Sequence, residues 1–153
     1  MPAVIILSNE TLPKIKERLS GINADTKPAW GKFDPPHLMA HLVRNIEIGL
    51  AEIEVADDSK PIVRGFMKWF AFHSGFPWPK GKLPAPPIFL PEPQGDFESE
   101  RNRLYDALDR FVAAANKEPG RITVNPIIGP LTLDYWRRTI GMHFDHHLTQ
   151  FGV

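Results

Sequence analysis

The chain has 153 residues, 42% of them hydrophobic and 24% charged, and its 18 acidic residues balance 18 basic ones. That length fits one domain spanning 1–153, and the zero net charge argues against a groove that tracks nucleic-acid phosphates. There is no cysteine, which excludes disulfides, thiolate zinc sites, iron–sulfur clusters and a protein thiol nucleophile; any metal must rest on nitrogen and oxygen ligands.

The opening "MPAVIILSNE" contains an apolar run, Ala3 to Leu7, without a basic flank and too short for the hydrophobic region of a secretory signal. No stretch approaches the ~18 apolar residues of a membrane span. The expected location is cytoplasmic, with no membrane partner.

"SNETLPKIKERLSGI" predicts a first helix, capped at Ser8 or Asn9 and ending near Gly21, with Leu12, Ile15 and Leu19 on one face. "DPPHLMAHLVRNIEIGLAEIE" predicts a second, with Asp34 as cap and prolines in the first turn. Its stripe is Leu38, Leu42, Ile46, Gly49 and Ile53. "KPIVRGFMKWFAF" predicts a shorter helix. The stretch from Phe76 to Asp96 holds seven of the 16 prolines, which blocks a helix interior and predicts a long connection. Its Trp78, Leu83, Ile88, Phe89 and Leu90 predict packing onto the domain. "DFESERNRLYDALDRFVAAANK" has an acidic first turn, favourable at the positive end of a helix, and a stripe of Leu104, Leu108, Phe111 and Ala115. The last helix, within "GPLTLDYWRRTIGMHFDHHLTQF", is capped at Thr132. The pattern predicts an all-α four-helix bundle with a long crossover connection.

Three of the six histidines, His143, His146 and His147, fall within this last helix. At about 100° per residue, Ile140, His143, His147 and Gln150 lie within roughly 40° of Trp136, whereas His146 is about 80° away. His143 and His147 therefore share the buried stripe. Side chains at i and i+4 are about 5–6 Å apart at Cβ, close enough for two imidazoles to meet on one divalent ion. The same pattern also suits two neutral core histidines, each satisfied by a local hydrogen bond. The metalloprotease form HExxH is absent, because Phe144 stands where the glutamate would be. A third imidazole has three candidate sources: His41 in the second helix, His37 one turn earlier, and His73 at the end of the short helix. Helical geometry alone does not choose among them.

"WGKFDPPHLMAHLVRNIEIGL" and "IIGPLTLDYWRRTIGMHFDHHLTQFGV" resemble the DinB-like superfamily, and within it a branch of unknown function; "PKGKLPAPPIFL" and "GDFESERNRL" resemble that branch too. The resemblance runs from Trp30 to Val153. It implies a four-helix bundle, often a homodimer, holding nickel or zinc on three histidines. Carried onto this chain, these are His41 of "MAHL" and the pair His143 and His147, trailed by Gln150; His37 and His146 have no ligand role. The chain departs from the pattern at Leu148 and Thr149, where many members have Arg-Gly, and at Asn125, in a region where the branch often has His.

Three histidines leave open positions for water or substrate. The resemblance therefore implies a metal-dependent enzyme acting on a small molecule, with a thiol-dependent S-transferase as one form and a low-molecular-weight thiol as its substrate. The alternatives are a non-catalytic metal-containing binding or stress-response protein, and a bundle whose histidines are only core. Arg44, Arg64, Lys68, Arg137 and Arg138 are candidate anion holders, and Trp69, Phe72, Phe76 and Trp78 candidate pocket walls. Ser74 lacks a base and an orienter for a serine triad. Glu52 is a candidate hydrogen-bond partner for a ligand, because it falls near the face of His41.

Overall fold

Asp34 starts the central helix. Its extended backbone and side-chain oxygen, which accepts from the His37 N–H at 2.9 Å, satisfy a helix N-terminus that prolines at the first two positions already pre-set. In the computed structural model, which describes residues 5–73 and 85–153 (backbone alone for 71–73), this is α2, Pro35–Gly49. It follows α1, Leu12–Ser20, and precedes α3, Pro61–His73. A 3₁₀ turn, Pro87–Phe89, then leads to α4, Phe97–Lys117. Strands β1, Ile122–Asn125, and β2, Gly129–Thr132, form an antiparallel hairpin with Ile122 opposite Thr132, and α5, Leu133–Gln150, closes the order.

The caps explain the starts. Asp96 accepts from Ser99 N–H at 2.9 Å at the head of α4, and Thr132 from Tyr135 N–H at 3.2 Å at the head of α5. Glu100 in the first turn of α4 is fully buried, yet its carboxylate accepts from the N–H groups of Gln94 and Gly95 and from the Arg103 guanidinium. Burial of that charge is offset by three donors.

The apolar stripes meet in one core. α2 packs on α4 and α5, and α1 packs on the same two helices. Leu42 and Ile46 of α2, Leu104, Leu108 and Phe111 of α4, and Trp136 and Ile140 of α5 are all fully buried. Gly49 lies where α2 passes closest to α5; a Cβ there would stand 3.3 Å from the Trp136 ring. A missing side chain is thus what admits the indole.

The helical class expected from the sequence is observed, with differences of detail. The hairpin is one: Thr123 Oγ1 donates to Gly49 O at 2.7 Å and Arg121 to Leu50 O at 2.5 Å, so tertiary bonds to the end of α2 hold two short strands in place. α1 starts after Thr11, not at Ser8 or Asn9; the Thr11 hydroxyl donates to Ile6 O and accepts from Ser8 N–H, so those residues form a turn before the helix. α2 stops at Gly49, and the positive φ of Ala51 turns the chain away, leaving Ile53 outside the helix. Of the Pro-rich connection, Ala85 onward is described; Phe89 is buried and Leu90 exposed. Ser74, Phe76, Trp78 and Leu83, and the side chains of Phe72 and His73, lie outside the described residues. Among the described residues no helix is long and apolar enough to cross a membrane.

Candidate metal centre

α2 and α5 bring three imidazoles to one point. His41 Nε2 stands 2.9 Å from His143 Nε2, which stands 3.1 Å from His147 Nε2. One nitrogen from each of the three lies within 4.8 Å of the others. Two nitrogens each about 2.0–2.1 Å from a tetrahedral ion are about 3.3–3.4 Å apart, so a small widening of this triangle matches a divalent ion.

The outer nitrogens decide which way the lone pairs point. His41 Nδ1 is 2.6 Å from the carbonyl oxygen of Phe89. A carbonyl only accepts, so Nδ1 carries the proton and Nε2 of the neutral ring offers a lone pair to the centre. His147 Nδ1 is 2.7 Å from Gln150 Oε1. The Gln150 amide is oriented by its Nε2, which donates to Trp30 O at 2.7 Å, so Oε1 accepts and His147 Nδ1 donates. At least two lone pairs therefore converge on one spot, an arrangement that two core histidines with merely local bonds would not require.

The electrostatics keep the rings neutral. Burial pushes the pKa of His41 below the ordinary histidine value, against the Phe89 carbonyl, which pulls upward. Burial, and then the charge of His147 and His41, holds His143 far below that value. Burial pushes His147 down to about 3. Neutral imidazole is the form that binds a metal.

Local structure supports two of the ligands, His41 and His147. The 3₁₀ turn at Pro87–Phe89 presents the Phe89 carbonyl to His41, and Arg44, one turn along α2, fastens that turn by donating to Ile88 O at 2.9 Å. Phe33 stacks on His41 with centroids 4.9 Å apart and meets His147 edge-on at 5.5 Å. These contacts limit ring rotation.

The imidazoles sit in a cavity of about 580 Å³. Trp30, Phe33, Val63, Met67, Phe89 and Ile128 form much of its wall, with Asn45, Asn125 and His146 among them. Asn125 Oδ1 accepts from the N–H groups of Ile127 and Ile128 at 2.9 and 3.0 Å, shaping the hairpin turn. Asn45 Oδ1 is buried without a hydrogen-bond partner among the described residues. Lys32 is at the wall as well; no aspartate or glutamate is, among the described residues.

Other candidates are placed elsewhere. His37 lies at the surface between Asp34, 2.7 Å from Nδ1, and Glu92, 3.0 Å from Nε2. His146 reaches the cavity, its ring 5.0 Å from His147 and 5.8 Å from Trp30, but outside the converging trio. Glu52 does not support His41: beyond the end of α2 it pairs with Arg110 at 3.2 Å. Arg44, Arg64 and Arg137 are engaged with Ile88 O, with Asp57 and Ser59, and with Leu7 O and Asn116. None of these three, nor Lys68 or Arg138, lines the cavity, and Trp69 is exposed on α3.

Sequence reasoning missed Phe33, Trp30, Lys32 and the Phe89 carbonyl. The Phe33-Asp34 step was a usable signal, because an apolar residue just before a helix cap often packs back onto the first turns. Nothing in the sequence marks a backbone carbonyl. No family model, curated protein or solved structure matches the chain.

Proposed function

We propose that this chain is a DinB-like four-helix-bundle protein, its bundle formed by α1, α2, α4 and α5, that works as a metal-dependent enzyme on a small molecule. The carrying observation is the meeting of three Nε2 atoms, from buried His41 and His147 and half-buried His143, with the tautomers of His41 and His147 set by acceptors on their other nitrogens. His41, His143 and His147 would hold nickel or zinc. Bound there, such an ion supplies Lewis acidity and lowers the pKa of a coordinated water or thiol. The protein's own part is to exclude water with Phe33, Trp30 and Met67, to hold the ligand rings through Phe89 and Gln150, and to keep three imidazoles unprotonated. A thiol-dependent S-transfer is the form of reaction this reading favours.

One observation favours the second reading, a metal-containing binding protein without turnover: among the described residues no carboxylate reaches the cavity to serve as a general base. Metal analysis of freshly purified protein tests the shared part. About one nickel or zinc per chain is expected, with loss of metal in His143→Ala. Metal-free protein that also refuses added nickel and zinc would leave the histidines as core residues.

A further inference from the structure

The cavity has a chemical bias of its own. Its wall is apolar for the most part, with Trp30 and Phe33 from the segment before α2 and Val63 and Met67 from α3. Among the described residues its one side chain with a formal charge is Lys32. The three imidazoles are neutral ligands, so a divalent ion held by them keeps its whole charge in a buried place. Buried charge is costly unless it is paired. With no aspartate or glutamate at the wall among the described residues, the compensating negative charge must come from what binds.

We propose that the cavity takes an apolar monoanion, with a carboxylate or thiolate head directed to the histidine centre and a hydrocarbon body against Val63, Met67 and Phe33. This rests on the metal reading above and adds the ligand class to it. A cationic ligand would meet Lys32 and the ion with the wrong sign. A strongly polar one would lose hydration against aromatic and aliphatic walls and gain few partners there. At about 580 Å³ the space lies in the range of pockets that enclose a small organic ligand.

The test uses the full chain loaded with cobalt(II), whose visible absorption reports both nitrogen coordination and a change of the remaining ligand. The probes are acetate, hexanoate, hexanethiol and hexyltrimethylammonium. Hexanoate or hexanethiol should shift the cobalt band, with a dissociation constant at least about tenfold below that of acetate, since each buried methylene is worth roughly fourfold in affinity. The tighter of the two names the head group. Hexyltrimethylammonium, which has no donor atom for the metal, should leave the band unchanged and should fail to displace bound hexanoate in competition. In Val63→Glu, at a wall position that is 43% exposed, the cobalt band should persist while the advantage of hexanoate over acetate falls to about twofold or less. A cobalt band that forms but shows no preference for the longer anion, or equal binding of the cation, overturns the ligand class and leaves the metal reading standing. Failure of any cobalt band to form overturns the metal reading and the ligand class with it.

Discussion

His147 and Gln150 are joined by a 2.7 Å hydrogen bond, and the same Gln150 amide reaches across to the carbonyl of Trp30 at 2.7 Å. One side chain thus sets the tautomer of an imidazole and anchors the loop that walls the cavity. Gln150 is buried, and the main chain is pinned as well, Ala29 N–H donating to Gln150 O at 2.8 Å. Gln150→Ala should keep that backbone link and the fold but free the ring of His147. The expected loss is about 10–100-fold in metal affinity, the usual effect of removing a partner behind a ligand. Competition against a chromophoric chelator reads it, and wild-type affinity in the variant would show that the amide holds only the loop.

Gly31 faces Gln150 from the loop. Its φ is +82°, and a Cβ there would come within 2.6 Å of Gln150 Nε2. Gly31→Ala combines a backbone conformation that costs L-residues about 1–2 kcal/mol with a clash on the amide that orients His147. Urea unfolding should show a loss of about 1–3 kcal/mol, and metal affinity should fall with it. Unchanged stability would mean that the loop adopts another path in solution.

A ligand confined to the folded state raises stability by about 2.7 kcal/mol at a hundredfold excess over Kd. In a domain of this size each kcal/mol moves Tm by roughly 2–4 °C. Chelation should lower Tm by several degrees, and zinc or nickel should restore it. The response should largely vanish in His147→Ala, because two imidazoles hold a divalent ion far less firmly than three. Melting curves with chelator and with added metal, on both proteins, make the comparison.

His146 borders the cavity without joining the trio. His146→Ala should retain metal at wild-type stoichiometry, as should His37→Ala. Stoichiometric loss in either, by elemental analysis, would point to a different ligand set.

His37 offers a pH prediction away from the centre. The hydrogen bond to Asp34, and then the one to Glu92, raise its pKa above the ordinary 6.5 despite a desolvation effect in the other direction. A histidine whose folded pKa is raised adds stability below its unfolded value, about 6.5, and loses that contribution as pH climbs through the folded value. The pair is solvent-exposed, so the effect on stability is small. The proton NMR titration of His37 should have its midpoint above 6.5. Asp34→Asn, which keeps a capping oxygen but removes the charge, should bring the midpoint down. A wild-type midpoint at or below 6.5 would show that the ion pair does not persist in water.

Short-range arithmetic already places much of this molecule. Asp34, Thr132 and the acidic start of α4 mark helix beginnings because capping is a matter of three or four residues. His143 and His147 share a buried face because i and i+4 do so in any α-helix. What such arithmetic leaves open is distance between elements. A helical wheel gives His41 an azimuth but no neighbour, and left it level with His37 and His73. Its partners are Phe89, 48 residues away, and His143, 102 residues away. They meet only because α2 packs on α5 while Arg44 draws the Pro87–Phe89 turn over the helix. The same holds for the bond from Gln150 to Trp30, 120 residues apart, and for a hairpin whose short strands depend on bonds to the end of α2. Local preference sets which residues are helical and which face they turn inward. Chain packing, which joins residues far apart in the sequence, decides which inward faces meet and so which imidazoles converge.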